Sequence, residues 1–223
     1  MIRLILIRHG QTAWNAQKRY QGQSDVPLDQ TGLAQANALA THFAEDRPDA
    51  IYSSDLQRAR NTAEVIASAA GLQISMDVRL RESAFGSWEG MTYSEIQERW
   101  PEEYKAWQND PLTWFPPGGE TLEQVTGRLS SFMSDLHVNH TRQNHTQQKI
   151  MVVAHGGSLR ALICHAMKLP SHTFWRMSLD SGSVSELRLY SDTAVLTLFN
   201  DRHFVSNIPS SPWVGRPDGH KLP

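Results

Sequence analysis

The sequence is poor in cysteine, in charge imbalance and in long apolar runs. Its 223 residues include one cysteine, Cys164, which excludes an intrachain disulfide and fits a reducing compartment. Lys and Arg number 21 against 23 Asp and Glu, a formal charge of −2, so no global basic field recruits nucleic acid or anionic lipid. Any anion chemistry must come from local arginines. No window reaches the length of a membrane span. The opening Met1-Ile2-Arg3-Leu4-Ile5-Leu6-Ile7-Arg8 is too short for a signal peptide and runs straight into His9, so it reads as a buried strand. These absences predict a cytoplasmic protein with no membrane and no nucleic-acid partner.

What is present is an ordinary globular composition, 39% hydrophobic and 20% charged, at a length that suits one α/β domain. Strands are expected at 3–8, 50–53, 72–76 and 150–154. Helices are expected from Thr31-Gly32 through the apolar positions Leu33, Ala36, Leu39, Ala40 and Phe43, and from a cap at Ser54 or Asp55 to Ala70, with Gly71 as the stop. Two more run from Thr121 to about His137 and from Ser158 to Met167. The latter carries Cys164 in an apolar pattern that suits core packing. Late strands near 183–189 and 195–199 lie close enough to pair as a hairpin. This βα alternation with an antiparallel end predicts an α/β fold, a mixed and mostly parallel sheet with helices on both faces. Two segments break the rhythm. Residues 85–115 hold eight of the nineteen aromatics in an irregular stretch with two short helices, and 208–223 is a Pro- and Gly-rich tail. The expected organisation is one domain over 1–207, with a cap at about 85–117.

Two strand ends share one grammar. Leu6-Ile7-Arg8-His9-Gly10 and Val153-Ala154-His155-Gly156-Gly157 each deliver a histidine, then glycine, at the carboxyl edge where open α/β sheets bind ligands. The glycines let backbone approach a ligand, and the helix expected from Ser158 aims its free N–H groups the same way, which suits an anion. A transferring phosphoryl group is stabilised mainly by positioned positive charge. Arg8 and Arg58 offer that charge in a fork that matches phosphate oxygens. His9 can attack only as neutral imidazole, and two guanidinium neighbours disfavour its cation. A phosphoenzyme would then divide one hard step into two easier ones.

Arg8-His9-Gly10-Gln11-Thr12, with Asn15 three residues on, resembles the signature of the histidine phosphatase superfamily, whose fold is phosphoglycerate mutase-like. Ser53-Ser54-Asp55-Leu56-Gln57-Arg58-Ala59 resembles its second arginine motif. Leu80-Arg81-Glu82 through Phe85-Gly86-Ser87-Trp88-Glu89-Gly90 resembles its acid segment. Gly118-Gly119-Glu120-Thr121 matches a common helix opening, and His155-Gly156-Gly157 supplies the second histidine. The five motifs stand in family order from residue 1 to about 200. The resemblance implies a three-layer α/β/α fold and His9 as nucleophile. It places Arg8, Arg58 and His155 in a phosphate pocket lined also by Asn15, Gln21, Gly22 and Gly156. Glu82 matches the proton donor, with Glu89 the other carboxylate nearby in sequence. The family also makes a homodimer plausible.

Three functions fit such a chain: a phosphatase acting on a small-molecule phosphate ester, a phosphoglycerate mutase, or a non-catalytic binder of phosphorylated ligands. Every expected catalytic residue type is present, which disfavours the binder. A mutase needs extra basic residues for a substrate that carries both phosphate and carboxylate. Between Phe85 and Phe115 only Arg99 and Lys105 are basic, against Glu89, Glu95, Glu98, Glu102, Glu103 and Asp110, so the phosphatase is favoured. The wording around Trp88 and Gly118 resembles bacterial α-ribazole-5′-phosphate phosphatases, and broad-specificity and phosphoserine phosphatases share much of it. The aromatic stretch suggests a leaving group with apolar or ring character. Arg60, Arg79 and Arg81 read as structural. His137, His140 and His145 read as part of a polar loop, not as metal ligands. No metal or cofactor is called for.

Overall fold

The computed structural model describes residues 1–110, 113–141 and 147–208, apart from the side chains of Gln108 and Thr141. In chain order the strands are β1 (Ile2–Arg8), β2 (Ala50–Ser53), β3 (Ile74–Met76), β4 (Gln148–Ala154), β5 (Val184–Leu189) and β6 (Ala194–Asp201). The helices are α1 (Ala13–Ala16), α2 (Gln30–Glu45), α3 (Gln57–Ala70), α4 (Tyr93–Arg99), α5 (Pro101–Asn109), α6 (Leu122–Thr141) and α7 (Gly156–Ala166). The strands form one sheet in the order β3-β2-β4-β1-β5-β6. The β3-β2-β4-β1 pairings are parallel, and β5 and β6 add antiparallel. This is the mixed sheet expected.

Period-2 alternation explains the two layers around it. Leu4, Leu6, Ile150, Val152 and Ala154 face a core shared with α6 and α7. Ile5, Ile7, Met151 and Val153 face one shared with α2 and α3. Both central strands are buried on both sides, which is why they read as unbroken apolar runs. The segment after β3 packs as a third cluster, with Trp88, Ile96, Tyr104 and Trp107 at its centre. Among the described residues no helix is long and apolar enough to cross a membrane.

Several local expectations shift. Helix α2 starts at Gln30 because Asp29 caps it, its Oδ1 accepting from Gly32 N–H at 2.8 Å. Leu33 then lies off the buried stripe of Ala36, Leu39, Ala40 and Phe43, and is exposed. Neither Ser54 nor Asp55 occupies the cap position of α3. That place falls to Leu56, and the N–H of Gln57 donates to Asp25 at 2.6 Å. Asp55 is drawn away by Arg81, at 2.8 Å. Gly71 does end the helix, in the left-handed region at φ 66°. Helix α6 continues through Thr141 and carries His137 and His140. His140 bridges Tyr52 and Gln148 at 2.9 and 2.7 Å, so it ties α6 to the sheet and is not part of a polar loop. His145 and, beyond Ile208, the expected tail lie outside the described residues.

Candidate active site

Parallel register builds the site. Arg8 pairs with Ala154 across β1 and β4, and His9 N–H donates to Ala154 C=O at 3.0 Å. The next residue on each strand is a histidine, so the His9 and His155 rings meet edge to face with centroids 5.1 Å apart. Strand β2 ends beside them, where Ser54 N–H donates to Val153 C=O at 3.0 Å. Arg58, in the first turn of α3, is fully buried at the same edge.

Tautomers follow from the partners. His9 Nδ1 lies 2.7 Å from the carbonyl oxygen of Gly10, which can only accept. The proton therefore sits on Nδ1, and Nε2 keeps its lone pair. Burial, then the charges of Arg58 and Arg8, hold the His9 pKa well below the usual histidine value of 6.5. Arg58 Nε–H donates to His155 Nδ1 at 3.1 Å, so His155 carries its proton on Nε2 and donates to Ser54 Oγ at 2.8 Å. His155 is also held neutral, by burial first and Arg58 next.

The guanidinium groups are locked from behind. Arg58 donates to the carbonyls of Ser24 and Gly22, both at 2.7 Å. Burial lowers its pKa to about 10, which leaves it charged at neutral pH. Arg8 donates through Nη1 to Leu179 C=O at 2.5 Å, while its buried Nε has no hydrogen-bond partner. A buried donor left open in a pocket that a neutral histidine also lines suits an anion site. The start of α7 sits against this guanidinium: a Cβ on Gly156 would lie 3.4 Å from Arg8 Nε, in ordinary van der Waals contact.

Asn15 and Gln21 flank the opening. Asn15 Oδ1 accepts from Thr12 N–H at 3.0 Å, which leaves the amide's donor end for the pocket, and Gln21 Oε1 accepts from Thr12 Oγ1 at 2.9 Å. Gly22 adopts φ 54°, and a Cβ on it would collide with Glu89. Glu82 lines the pocket and sits on the N-terminus of α7. Its carboxylate accepts from Gly157, Ser158 and Ser83 N–H at 2.9, 3.0 and 2.9 Å. The helix begins at Gly156, earlier than expected, and these N–H groups hold a carboxylate of the chain itself. Glu89 is absent from the pocket wall. It accepts from Gln23 N–H, Ser24 N–H, Ser24 Oγ and Phe85 N–H at 2.6–3.0 Å.

The cavity encloses about 140 Å³, and Arg8, His9, Asn15, Gln21, Gly22, Arg58, Glu82 and Gly156 all line it. His155 stands behind them, fully buried. Sequence reasoning missed part of the wall. Arg160, Phe174 and Trp175 close one side, and Lys18, Arg19 and Tyr20 contribute to the mouth. The scarcity of basic residues in 85–115 therefore does not describe the pocket, which takes its extra cations from α7 and from the turn after α1. Arg160 follows Gly156 by four residues, one turn of the same face, a signal present in the sequence.

A family model for the histidine phosphatase superfamily (branch 1) matches residues 4–202. Phosphoserine phosphatase 1 of Hydrogenobacter thermophilus is 34% identical over 90% of this chain and 92% of its own. Glucosyl-3-phosphoglycerate phosphatase of Mycolicibacterium vanbaalenii is 37% identical over 86% and 85%. The crystal structure of the α-ribazole phosphatase from Shigella flexneri superposes with a TM-score of 0.81 at 30% identity, covering 90% of this chain and 96% of that one. The chain belongs to the histidine phosphatase superfamily and is a phosphatase of that group.

Proposed function

We propose that the enzyme hydrolyses small-molecule phosphate monoesters in two steps through a phosphohistidine at His9. The phosphate lies between Arg8 and Arg58, and the open Arg8 Nε donates to it. The Nε2 lone pair of His9 forms a bond to phosphorus as the ester P–O bond breaks. Glu82, a carboxylate in the empty site that the bound phosphate dianion drives to take up a proton, gives that proton to the departing alkoxide. Phosphorylation at Nε2 makes the ring cationic, and the Gly10 carbonyl already accepts from Nδ1–H. Glu82 then takes a proton from water as that oxygen attacks phosphorus. The P–N bond breaks and neutral His9 returns. His155 acts through Arg58, fixing the direction of its fork. Phosphoserine, glucosyl-3-phosphoglycerate and α-ribazole phosphate, the esters named for the relatives, are the candidates for this pocket.

One observation carries the reading: a neutral histidine with a free Nε2 lone pair lines the same pocket as two buried guanidinium groups. The test is rapid mixing with excess ester, an alkaline quench, and phosphorus NMR of the denatured protein. A phosphohistidine signal that disappears together with turnover in His9→Ala supports it. Wild-type turnover in His9→Ala would overturn it.

A further inference from the structure

Glu120 lines the pocket, yet the phosphoryl-transfer chemistry gives it no part. Its carboxylate meets the fork of Arg128, which donates from Nε to Oε1 at 2.9 Å and from Nη2 to Oε2 at 3.0 Å. Oε2 also accepts from Ala84 N–H at 3.0 Å and from Gln23 Nε2 at 3.2 Å. Burial opposes the charge, but Arg128 and the Ala84 N–H outweigh it and hold the Glu120 pKa below the usual carboxylate value. Glu120 is an ionised acceptor, already saturated from within the protein.

Arg128 spends its other three N–H groups on one stretch of backbone. Nη1 donates to Arg79 C=O at 2.6 Å and to Arg81 C=O at 2.7 Å, and Nη2 donates to Glu82 C=O at 3.0 Å, an oxygen that Gln23 Nε2 also reaches at 3.3 Å. All five guanidinium hydrogens then have acceptors. Between β3 and α4 the chain forms only short turns, so no strand ladder satisfies these carbonyls and a side chain must. On the far side of Glu82, Ala84 is held at both ends, its N–H by Glu120 Oε2 and its C=O by Glu120 N–H at 2.9 Å. Glu89 does a different job. It holds the N–H groups of Gln23 and Ser24, in the loop whose carbonyls seat Arg58.

Resting on the assignment of Glu82 as the acid, we propose that Glu120 and Arg128 are a positioning pair for it. They fix the main chain on both sides of Glu82, so that its side chain moves to the leaving oxygen while the segment stays. The carboxylate rests on N–H groups of Ser83, Gly157 and Ser158, contacts it must loosen once it takes up a proton. From then on the backbone anchor alone sets where the acid stands. A proton donor has to lie within hydrogen-bond reach of its target, and a drift of about 1 Å costs on the order of a hundredfold in rate. The Glu120 charge also offsets that of Arg128, so the brace adds no net charge beside a group that must become neutral.

Purified full-length protein would be assayed on alkyl esters (O-phosphoserine, 3-phosphoglycerate, glycerol 3-phosphate and α-ribazole 5′-phosphate) and on 4-nitrophenyl phosphate, whose anion leaves without a proton. The readout is kcat/KM, which covers steps only as far as departure of the alcohol, for the fastest alkyl ester relative to the aryl ester. In Arg128→Met the alkyl value should fall about ten- to hundredfold more than the aryl value. Arg128→Lys, which keeps the charge and three donors but not the fork, should recover part of the ratio, and Glu120→Gln should lose part of it. Inhibition by inorganic phosphate should not change, because Glu89 holds the Arg58 seat separately. Ratios taken within one variant cancel losses of folded protein, and Arg128→Lys with Glu120→Gln carry the test should Arg128→Met fail to fold. Glu82→Gln, run beside them, separates the two ways of failing. If it loses the alkyl ester selectively while the Arg128 and Glu120 variants lose both ester types alike, or neither, the pair is merely structural and the acid assignment stands. If Glu82→Gln shows no such selectivity, or the wild type hydrolyses no alkyl ester, the acid assignment falls first and the positioning pair with it.

Discussion

Arg58 Nε–H donates to His155 Nδ1 at 3.1 Å, and that contact sets the state of the second histidine. With Nδ1 accepting, His155 must be neutral and must hold its proton on Nε2, where Ser54 Oγ receives it. His155 therefore fixes one edge of the guanidinium while Gly22 and Ser24 carbonyls fix the others. In the proposed mechanism its part is to set where the Arg58 charge points.

His155→Phe keeps a ring in the buried space and removes the acceptor. Arg58 then loses its third anchor beside the phosphate. The expected cost is about 10²- to 10³-fold in kcat/KM, the scale of losing one oriented donor to a transition-state anion, with weaker inhibition by inorganic phosphate. Steady-state kinetics on any hydrolysed ester checks it. An effect below threefold would show that Arg58 is held well enough without the ring.

The two buried histidines also make stability depend on pH in an unusual direction for histidine. Both have folded-state pKa values depressed well below 6.5. Between those values and about 6.5 the unfolded chain binds protons that the folded chain refuses, so stability rises with pH there. Their contribution is fully present above about 6.5 and is lost as pH falls toward the folded values. Asp55, Glu120 and Glu186 have lowered pKa values, so their loss comes only below about 4.5. Tm should thus drop between pH 7 and pH 5, and His9→Gln should flatten that slope. A Tm independent of pH across this window contradicts the assignment.

Glu82 and Gly157 make a paired prediction. If Glu82 protonates the leaving oxygen, Glu82→Gln should lower kcat by about 10²- to 10³-fold on alkyl phosphates. The loss should be much smaller on 4-nitrophenyl phosphate, whose anion leaves without a proton. Gly157→Ala should share the pattern, because a Cβ there would meet Glu82 Oε1 at 2.2 Å and push the carboxylate off the helix end. Equal losses on both ester types would move the proton donor elsewhere.

What could be read from the sequence follows from how local its cause is. The two strand ends were legible because β1 and β4 are buried on both faces and leave unbroken apolar runs before His9 and His155. Arg58 was legible by its motif. The Asp25 cap on α3 was not, since the partner is 32 residues away and neither Ser54 nor Asp55 is free to serve. Arg160 hid for a related reason. Its spacing from Gly156 marks the side of α7 it lies on, but an arginine between Leu159 and Leu162 in an apolar helix pattern still reads as a solvated charge, and its enclosure comes from the distant Ser171–Arg176 turn, with Phe174 and Trp175. The N-terminus of α7 was foreseen as an anion site, but the anion turns out to be Glu82, brought from a distant loop.

Glu89→Gln separates the two carboxylates that sequence left side by side. Oε1 of Glu89 accepts from Gln23 and Phe85 N–H, and Oε2 accepts from Ser24 N–H and Oγ, so an amide places an NH2 group against two donors. The segment that loosens is the one whose Gly22 and Ser24 carbonyls seat Arg58. Losing such part-buried bonds costs about 1–3 kcal/mol, which predicts roughly a five- to hundredfold fall in kcat/KM through a less fixed guanidinium. If, as proposed, Arg58 acts on the phosphoryl group and not on the leaving oxygen, the fall should be the same for alkyl phosphates and 4-nitrophenyl phosphate. Inorganic phosphate should inhibit less well by a similar factor. A loss confined to alkyl esters would instead identify Glu89 as the acid and reduce Glu82 to a clamp on α7.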